Sequence, residues 1–109
     1  MKTVVYGLGG MFAKYNEYIY QNYQVIGYCD RDISKLEKIH TGRFDRHMLM
    51  ENQELYDSVL VTVFGSETTR DVLKDLVDNL NVPCNKIRFL HYDMLDKEKP
   101  YISFGQYGE

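Results

Sequence analysis

The chain has 109 residues, enough for one domain with a real core but too few for a cofactor domain together with a substrate domain. Its 13 basic and 16 acidic residues give a formal net charge of −3, and the basic residues are scattered, which argues against nucleic-acid binding. No apolar run approaches the roughly 20 residues that cross a bilayer, and no secretory signal precedes the first strand, so we expect a cytoplasmic protein without membrane insertion.

The first thirty residues have the pattern of a strand, a helix and a second strand. Thr3–Tyr6 is apolar enough for a parallel strand that is buried on both faces. Apolar side chains then recur at helical spacing and predict a helix of roughly Met11–Gln21. Gln24–Cys29 is the predicted second strand, so this part of the chain forms one βαβ unit.

The middle of the chain has weaker signals, followed by one strong strand. Ile33–Ile39 fits a short helix, and His40–Phe44 fits a turn with a stub of strand. Asp45–Leu55 is a predicted helix capped by its first residue. Ser58–Phe64 is apolar and β-branched, which is typical of a central parallel strand.

The last predicted elements complete a Rossmann-like α/β domain. Thr68–Leu80 is an amphipathic helix with a capping-box pattern at its start, and Lys86–Leu90 is one more strand. Right-handed crossovers then predict a three-layer domain over residues 1–95, with a parallel sheet of about five strands in the order 3-2-1-4-5. We interpret residues 96–109 as a charged linker and the start of a truncated following domain.

The loop after the first strand is the leading candidate for a binding site. Its first glycine permits a tight turn, its second lets the backbone approach a phosphate, and the helix start favours an anion. The third small residue of the dinucleotide fingerprint is replaced by phenylalanine, so the motif is partial. The candidate residues of this loop are Gly7, Leu8, Gly9, Gly10, Met11 and Phe12.

Asp30 and Arg31 end the second strand, where an acidic residue would accept hydrogen bonds from ribose hydroxyls. Asp30 could instead cap the following short helix, and Arg31 could favour a phosphate or pair with Asp32. Gly65 and Ser66 follow the central strand and are candidates for the same crevice, although capping of a helix start also explains such residues.

The remaining titratable and sulfur-containing residues give no catalytic or metal-binding pattern. The three histidines are spread apart, without a nucleophile or carboxylate arranged as a partner. Cys29 and Cys84 belong to no metal-ligand motif, and we expect both to be reduced and largely buried. We therefore predict neither catalytic residues nor a metal site in this chain.

Parts of the sequence resemble two known families. "VVYGLGGMFAK", "VIGYCDRD" and "SVLVTVFGS" resemble the Rossmann-like domains of bacterial polysaccharide and glycan enzymes, such as the N-terminal nucleotide-sugar-binding domain of sugar acyltransferases. Gly7, Gly9 and Gly10 match that family's loop, with Met11 at its His and Phe12 at its last Gly. "YISFGQYGE" resembles the opening of FkbM-type S-adenosylmethionine-dependent methyltransferase domains, in which Ser103, Gln106, Gly108 and Glu109 match.

These resemblances imply a nucleotide- or nucleotide-sugar-binding module at the N-terminus of a glycan-modifying transferase, for example a sugar methyltransferase. S-adenosylmethionine would bind only in the following domain. One alternative is an NAD(P)-binding piece of an oxidoreductase or sugar epimerase, and another is a vestigial site in an assembly domain. The expected partners are a small-molecule nucleotide ligand and, for protein contacts, a second copy of the chain or a following domain.

Overall fold

Four short segments form one sheet in the computed structural model, which describes the backbone of residues 1–98 and the side chains of residues 1–95. All neighbouring strands are parallel, and the order across the sheet is β2-β1-β3-β4. Since parallel neighbours need a crossover connection, helical segments separate the strands along the chain. The predicted α/β class with a parallel sheet is confirmed. The strands are β1 (Lys2–Tyr6), β2 (Gln24–Cys29), β3 (Ser58–Val61) and β4 (Ile87–Phe89).

Helices cover both faces of the sheet, because successive side chains of a strand point to opposite sides. On one face, Val4 and Val59 pack with side chains of α3 and α4, and on the other, Val5 and Leu60 pack with side chains of α1 and α5. None of the helices within residues 1–98 is long and apolar enough to cross a membrane. The helices are α1 (Gly10–Asn22), α2 (Ile33–Leu36), α3 (Arg46–Glu51), α4 (Ser66–Lys74) and α5 (Leu90–Glu98).

The predicted third strand does not form, so the predicted five strands and the order 3-2-1-4-5 are wrong. Within His40–Phe44 only Arg43 pairs with the sheet, through one parallel bridge to Tyr28. The chain turns at Gly42, whose φ of +80° is the left-handed conformation that favours glycine. The Phe44 N–H donates to the Tyr28 carbonyl at 2.8 Å, and its ring folds over Gly27, where a Cβ atom would lie 2.3 Å from it.

The helices of the middle region are shorter than predicted. Asp45 caps α3 as expected, since its carboxylate accepts a hydrogen bond from the Met48 N–H at 2.9 Å. The helix ends at Glu51 instead of Leu55, and Gln53–Leu55 forms a separate 3-10 turn. The short helix α2 is capped by Asp32, whose carboxylate accepts from the Ser34 N–H at 3.0 Å.

The helix after β3 begins two residues earlier than predicted and changes geometry near its end. Gly65, with φ of +92°, provides the turn from the strand into α4, so Thr68 lies inside the helix and is not its cap. The predicted capping box at Thr68 is therefore wrong. After Lys74, the segment Asp75–Asn79 is a turn of π-helix.

A fifth helix, α5, follows β4 where the sequence predicted no helix, and it extends past residue 95 into the segment that was interpreted as a linker. Leu90 is fully buried, and Met94 packs against the same apolar cluster. The Asp93 carboxylate accepts hydrogen bonds from the Tyr23 hydroxyl and from the Arg88 guanidinium. These contacts stabilise the helix beyond β4. The methyltransferase-like match at residues 103–109 lies outside the described residues.

Candidate functional site

A cleft of about 520 Å³ lies at the carboxyl ends of β1, β2 and β3, where the ligand crevice of a doubly wound sheet is found. Six of the ten residues predicted from the sequence line it. They are Gly7, Gly9, Gly10, Met11, Asp30 and Arg31. Lys35 of α2, Thr62 and Phe64 after β3, and Thr68 of α4 complete its wall.

Gly7 makes the tight turn that the sequence predicted. Its φ is +117°, and a Cβ atom there would lie 2.7 Å from the Thr62 hydroxyl oxygen. The Gly7 N–H donates to the Cys29 carbonyl at 2.9 Å, and the Thr62 hydroxyl donates to the Gly7 carbonyl. This residue therefore joins the ends of all three strands, and no larger side chain fits at its position.

The glycines at the start of α1 leave the helix N-terminus open to the cleft. Gly9 precedes the helix without any side-chain cap, and the first turn contains no acidic residue. Gly10 is exposed, and a Cβ atom at this position would meet nothing within 4 Å. The N–H groups of the first turn favour a negative charge at this end, and the backbone leaves helical geometry at Tyr15, so only the turn before that kink adds its dipole.

Two basic side chains flank this helix start. Lys35 comes so close that a Cβ atom on Gly9 would lie 3.4 Å from its Nζ, and Arg31 lines the same cleft. Within the described residues, Arg31 makes no ion pair with Asp32, so that alternative from the sequence is wrong. Lysine and arginine heads beside free backbone N–H groups are the donor set that binds phosphate.

Asp30 holds the glycine loop in place. One oxygen of its carboxylate accepts from the Leu8 N–H at 2.7 Å, and the other accepts from the Asp32 N–H at 2.8 Å. Because the cap of α2 is Asp32, the alternative that Asp30 caps that helix is wrong. Each carboxylate oxygen can accept a second hydrogen bond, so Asp30 still has the capacity to bind a ribose hydroxyl.

Leu8 and Phe12 point away from the cleft, although both were predicted as site residues. Both pack against the apolar cluster beneath α1. The Phe12 ring contacts the Tyr28 ring edge to face, with 5.9 Å between the centroids. The ring that replaces the third glycine therefore fills the contact between α1 and β2, and the open helix start is preserved.

Gly65 and Ser66 line a second cavity, of about 500 Å³, at the carboxyl ends of β3 and β4. This cavity adjoins the cleft, since Val63 and Phe64 line both. Its other walls combine apolar with polar side chains. They include Thr69, Arg70, Leu73, Phe89, His91 and Tyr92.

The buried carboxylate of Asp75 holds Tyr6, one of the residues that line the cleft. The Tyr6 hydroxyl donates to Asp75 at 2.8 Å, and the Arg46 guanidinium binds both carboxylate oxygens. Burial would raise the pKa of Asp75, but the hydrogen bonds from Arg46, Asn79 and Tyr6 outweigh it, and the pKa is lowered. Burial, followed by the hydrogen bond to Asp75, raises the pKa of Tyr6. Tyr6 therefore stays neutral and acts as a fixed part of the cleft floor.

The cysteines differ from each other, against the expectation that both are buried. Cys29 is fully buried, and burial is the main cause that raises the pKa of its thiol to about 12. Cys84 is exposed. Among the described residues, no three His, Cys, Asp or Glu side chains come together in a way that could hold a metal ion.

Sequence reasoning missed several residues of this cleft, among them Lys35 and Phe64. Lys35 lies on a short helix whose packing the sequence did not predict, and Phe64 was placed inside a strand that in fact ends at Val61. Comparisons of the chain with protein-family models, with curated proteins and with solved structures found no match.

Proposed function

We propose that this chain binds a nucleotide or nucleotide sugar, with the phosphates at the start of α1. The observation that carries the proposal is the convergence of Lys35 and Arg31 on the uncapped, glycine-lined helix start in one cleft. Basic side chains and backbone N–H groups together supply charge and hydrogen bonds to phosphate oxygens. The cleft volume of about 520 Å³ lies within the range of ordinary small-molecule sites.

The sugar side of such a ligand would meet Asp30. The carboxylate lies at the end of β2, beside the glycine loop, and its remaining acceptor capacity suits sugar hydroxyls. NAD(P) carries the same ribose and phosphate groups, so an NAD(P)-binding piece of an oxidoreductase or epimerase is the alternative to a nucleotide-sugar module. In our proposal the module serves a larger glycan-modifying transferase, as the resemblance to FkbM-type methyltransferases at residues 103–109 implies.

The proposal predicts that phosphate-bearing nucleotides stabilise the folded chain. Ligand at a hundred times its dissociation constant adds about 2.7 kcal/mol, which corresponds to a rise in melting temperature on the order of ten degrees. We expect this rise with ADP, UDP, a UDP-sugar or NAD, measured by thermal unfolding in parallel. The member of the panel with the largest effect would separate the nucleotide-sugar proposal from the dinucleotide alternative.

A matched pair of variants tests the phosphate contact. Lys35→Gln should weaken nucleotide binding about tenfold or more, because a hydrogen bond to a charged group contributes about 1.5–3 kcal/mol. Lys38→Gln changes the net charge equally, but Lys38 is exposed and does not line the cleft. The Lys38→Gln protein should therefore bind nucleotide with the affinity of the natural chain. Equal effects of the two substitutions would contradict the assigned contact, and no stabilisation by any nucleotide at millimolar concentration would indicate a vestigial site.

A further inference from the structure

Three cavities meet at the side chain of Phe64. It lines the glycine cleft, the adjoining 500 Å³ cavity, and a third cavity of about 160 Å³ next to Met11 and Tyr15 of α1. Its side chain is 55% exposed, although Val61 and Thr62 just before it are buried. Phe64 thus lies at the carboxyl edge of the sheet and separates the candidate phosphate site from the second cavity.

The backbone on both sides of Phe64 is firmly held. The Thr62 N–H donates to the Tyr6 carbonyl at 3.0 Å, and the Thr69 N–H donates to the Gly65 carbonyl at 2.9 Å in the first turn of α4. The aromatic pairs found among the described residues do not include Phe64. A large apolar ring that is solvent-exposed and makes no aromatic contact in the core contributes little to folding, whereas it is available as a binding surface at the mouth of a cavity.

We propose that Phe64 is the stacking platform for the nucleobase of the ligand. The inference rests on the proposed nucleotide binding and specifies which part of the ligand lies where. With the phosphates at Gly9 and Gly10, the base would lie against the phenyl face at the entrance to the second cavity, with its ribose between base and phosphates. Asp30, on the other side of the phosphates, would then meet the sugar of a nucleotide sugar. Aromatic side chains stack on any base, and hydroxyl, guanidinium and imidazole groups can bind its polar edge. The second cavity offers such groups on Ser66, Thr69, Arg70 and His91.

The test compares ligands with and without a base by calorimetric titration. Pyrophosphate, ribose 5-phosphate, ADP and UDP would be titrated into the natural chain, Phe64→Ala and Phe64→Tyr. Phe64→Ala should lower the affinity for ADP and UDP about ten- to a hundredfold, the range measured for loss of base stacking, and leave pyrophosphate and ribose 5-phosphate nearly unchanged. Phe64→Tyr keeps the ring and should retain nucleotide affinity.

Leu55→Ala is the matched control, because Leu55 is also a partly exposed apolar side chain, 43% exposed, but it precedes β3 at the opposite end of the sheet. It should alter no affinity. Unchanged nucleotide affinity in Phe64→Ala would overturn the stacking role while leaving the proposed function standing. An equal loss of pyrophosphate affinity in Phe64→Ala would also overturn the stacking role, since the ring would then only support the loop. A changed oligomeric state of Phe64→Ala with unaltered ligand affinity would overturn it as well. If the natural chain binds none of the four ligands, the proposed function itself fails.

Discussion

Gly7→Ala should lower the melting temperature by roughly 10–30 °C, since a loss of about 2–5 kcal/mol is expected for a domain of this size. The left-handed conformation at φ +117° costs an L-residue about 1–2 kcal/mol. The new methyl group would also lie 2.7 Å from the Thr62 hydroxyl and 3.0 Å from the Thr62 carbonyl oxygen. Overpacking of this kind costs about 1–3 kcal/mol, because the backbone atom cannot move without disturbing β3.

Gly10→Ala is the control for this prediction. Gly10 has no positive φ, and its added Cβ would meet nothing within 4 Å. Alanine in a compatible helical position stabilises a protein by about 0.4–1 kcal/mol, so the melting temperature should stay constant or rise slightly. Thermal unfolding followed by circular dichroism measures both variants. A Gly7→Ala protein as stable as Gly10→Ala would contradict the tight turn on which the cleft depends.

Arg46→Met should destabilise the fold by about 2–3 kcal/mol at neutral pH, the second largest effect that we expect. Removing Arg46 leaves the Asp75 carboxylate, whose side chain is only 6% exposed, without a positive partner, although Tyr6 and Asn79 still donate hydrogen bonds to it. Arg46 itself is 43% exposed, so water screens the pair and the loss falls below that of a fully buried pair. Chemical denaturation of both proteins measures the difference in the free energy of unfolding.

The effect of Arg46→Met should depend on pH, because it acts through the charge on Asp75. A carboxylate whose pKa is lower in the folded state stabilises the fold above its unfolded pKa, about 3.9, and this contribution is lost as the pH falls through the folded value. Without Arg46, burial of Asp75 is less compensated and its pKa rises. The difference in the free energy of unfolding between the natural chain and Arg46→Met should therefore be largest near pH 7 and decrease below about pH 4.

Arg70→Met supplies the control for the loss of a positive charge. Arg70 is exposed on α4, and among the described residues it forms no ion pair, so its replacement should change stability by less than about 0.5 kcal/mol. Equal stability losses at Arg46 and Arg70, or a loss at Arg46 that does not vary with pH, would contradict the role of the Asp75 pair.

The parts of the fold that follow from local sequence pattern were predictable. Thr3–Tyr6 and Gln24–Cys29 are strands because their residues are apolar and turn residues follow them, and these signals are local. The length of β3 was not predictable, since Thr62–Phe64 continues the apolar run but has no neighbouring strand to pair with once Gly7 turns away. His40–Phe44 failed as a strand for a tertiary reason, namely the packing of Phe44 over Gly27.

Some residues of the candidate site were likewise predictable from local sequence, whereas others depend on tertiary contacts. The glycine loop and Asp30 follow from a motif whose spacing is local, whereas Lys35 reaches Gly9 only through the turn that Asp30 and Asp32 impose on the chain. The orientation of Phe12 depends on Tyr28 across the helix and strand contact, which the loop motif does not encode. The link between Tyr6 and Asp75 spans 69 residues, so no local pattern indicates it.

Two-dimensional ¹H–¹⁵N NMR during titration with UDP reports where on the chain a nucleotide binds. We expect the chemical-shift changes to concentrate on the backbone amides of Gly9–Phe12, of Asp30 and Arg31, and of Val63 and Phe64. Amides at the other end of the sheet, around Asn22, Gln24 and Arg88, should not change. An unchanged spectrum at millimolar UDP, or changes confined to that opposite end, would contradict nucleotide binding at the glycine cleft.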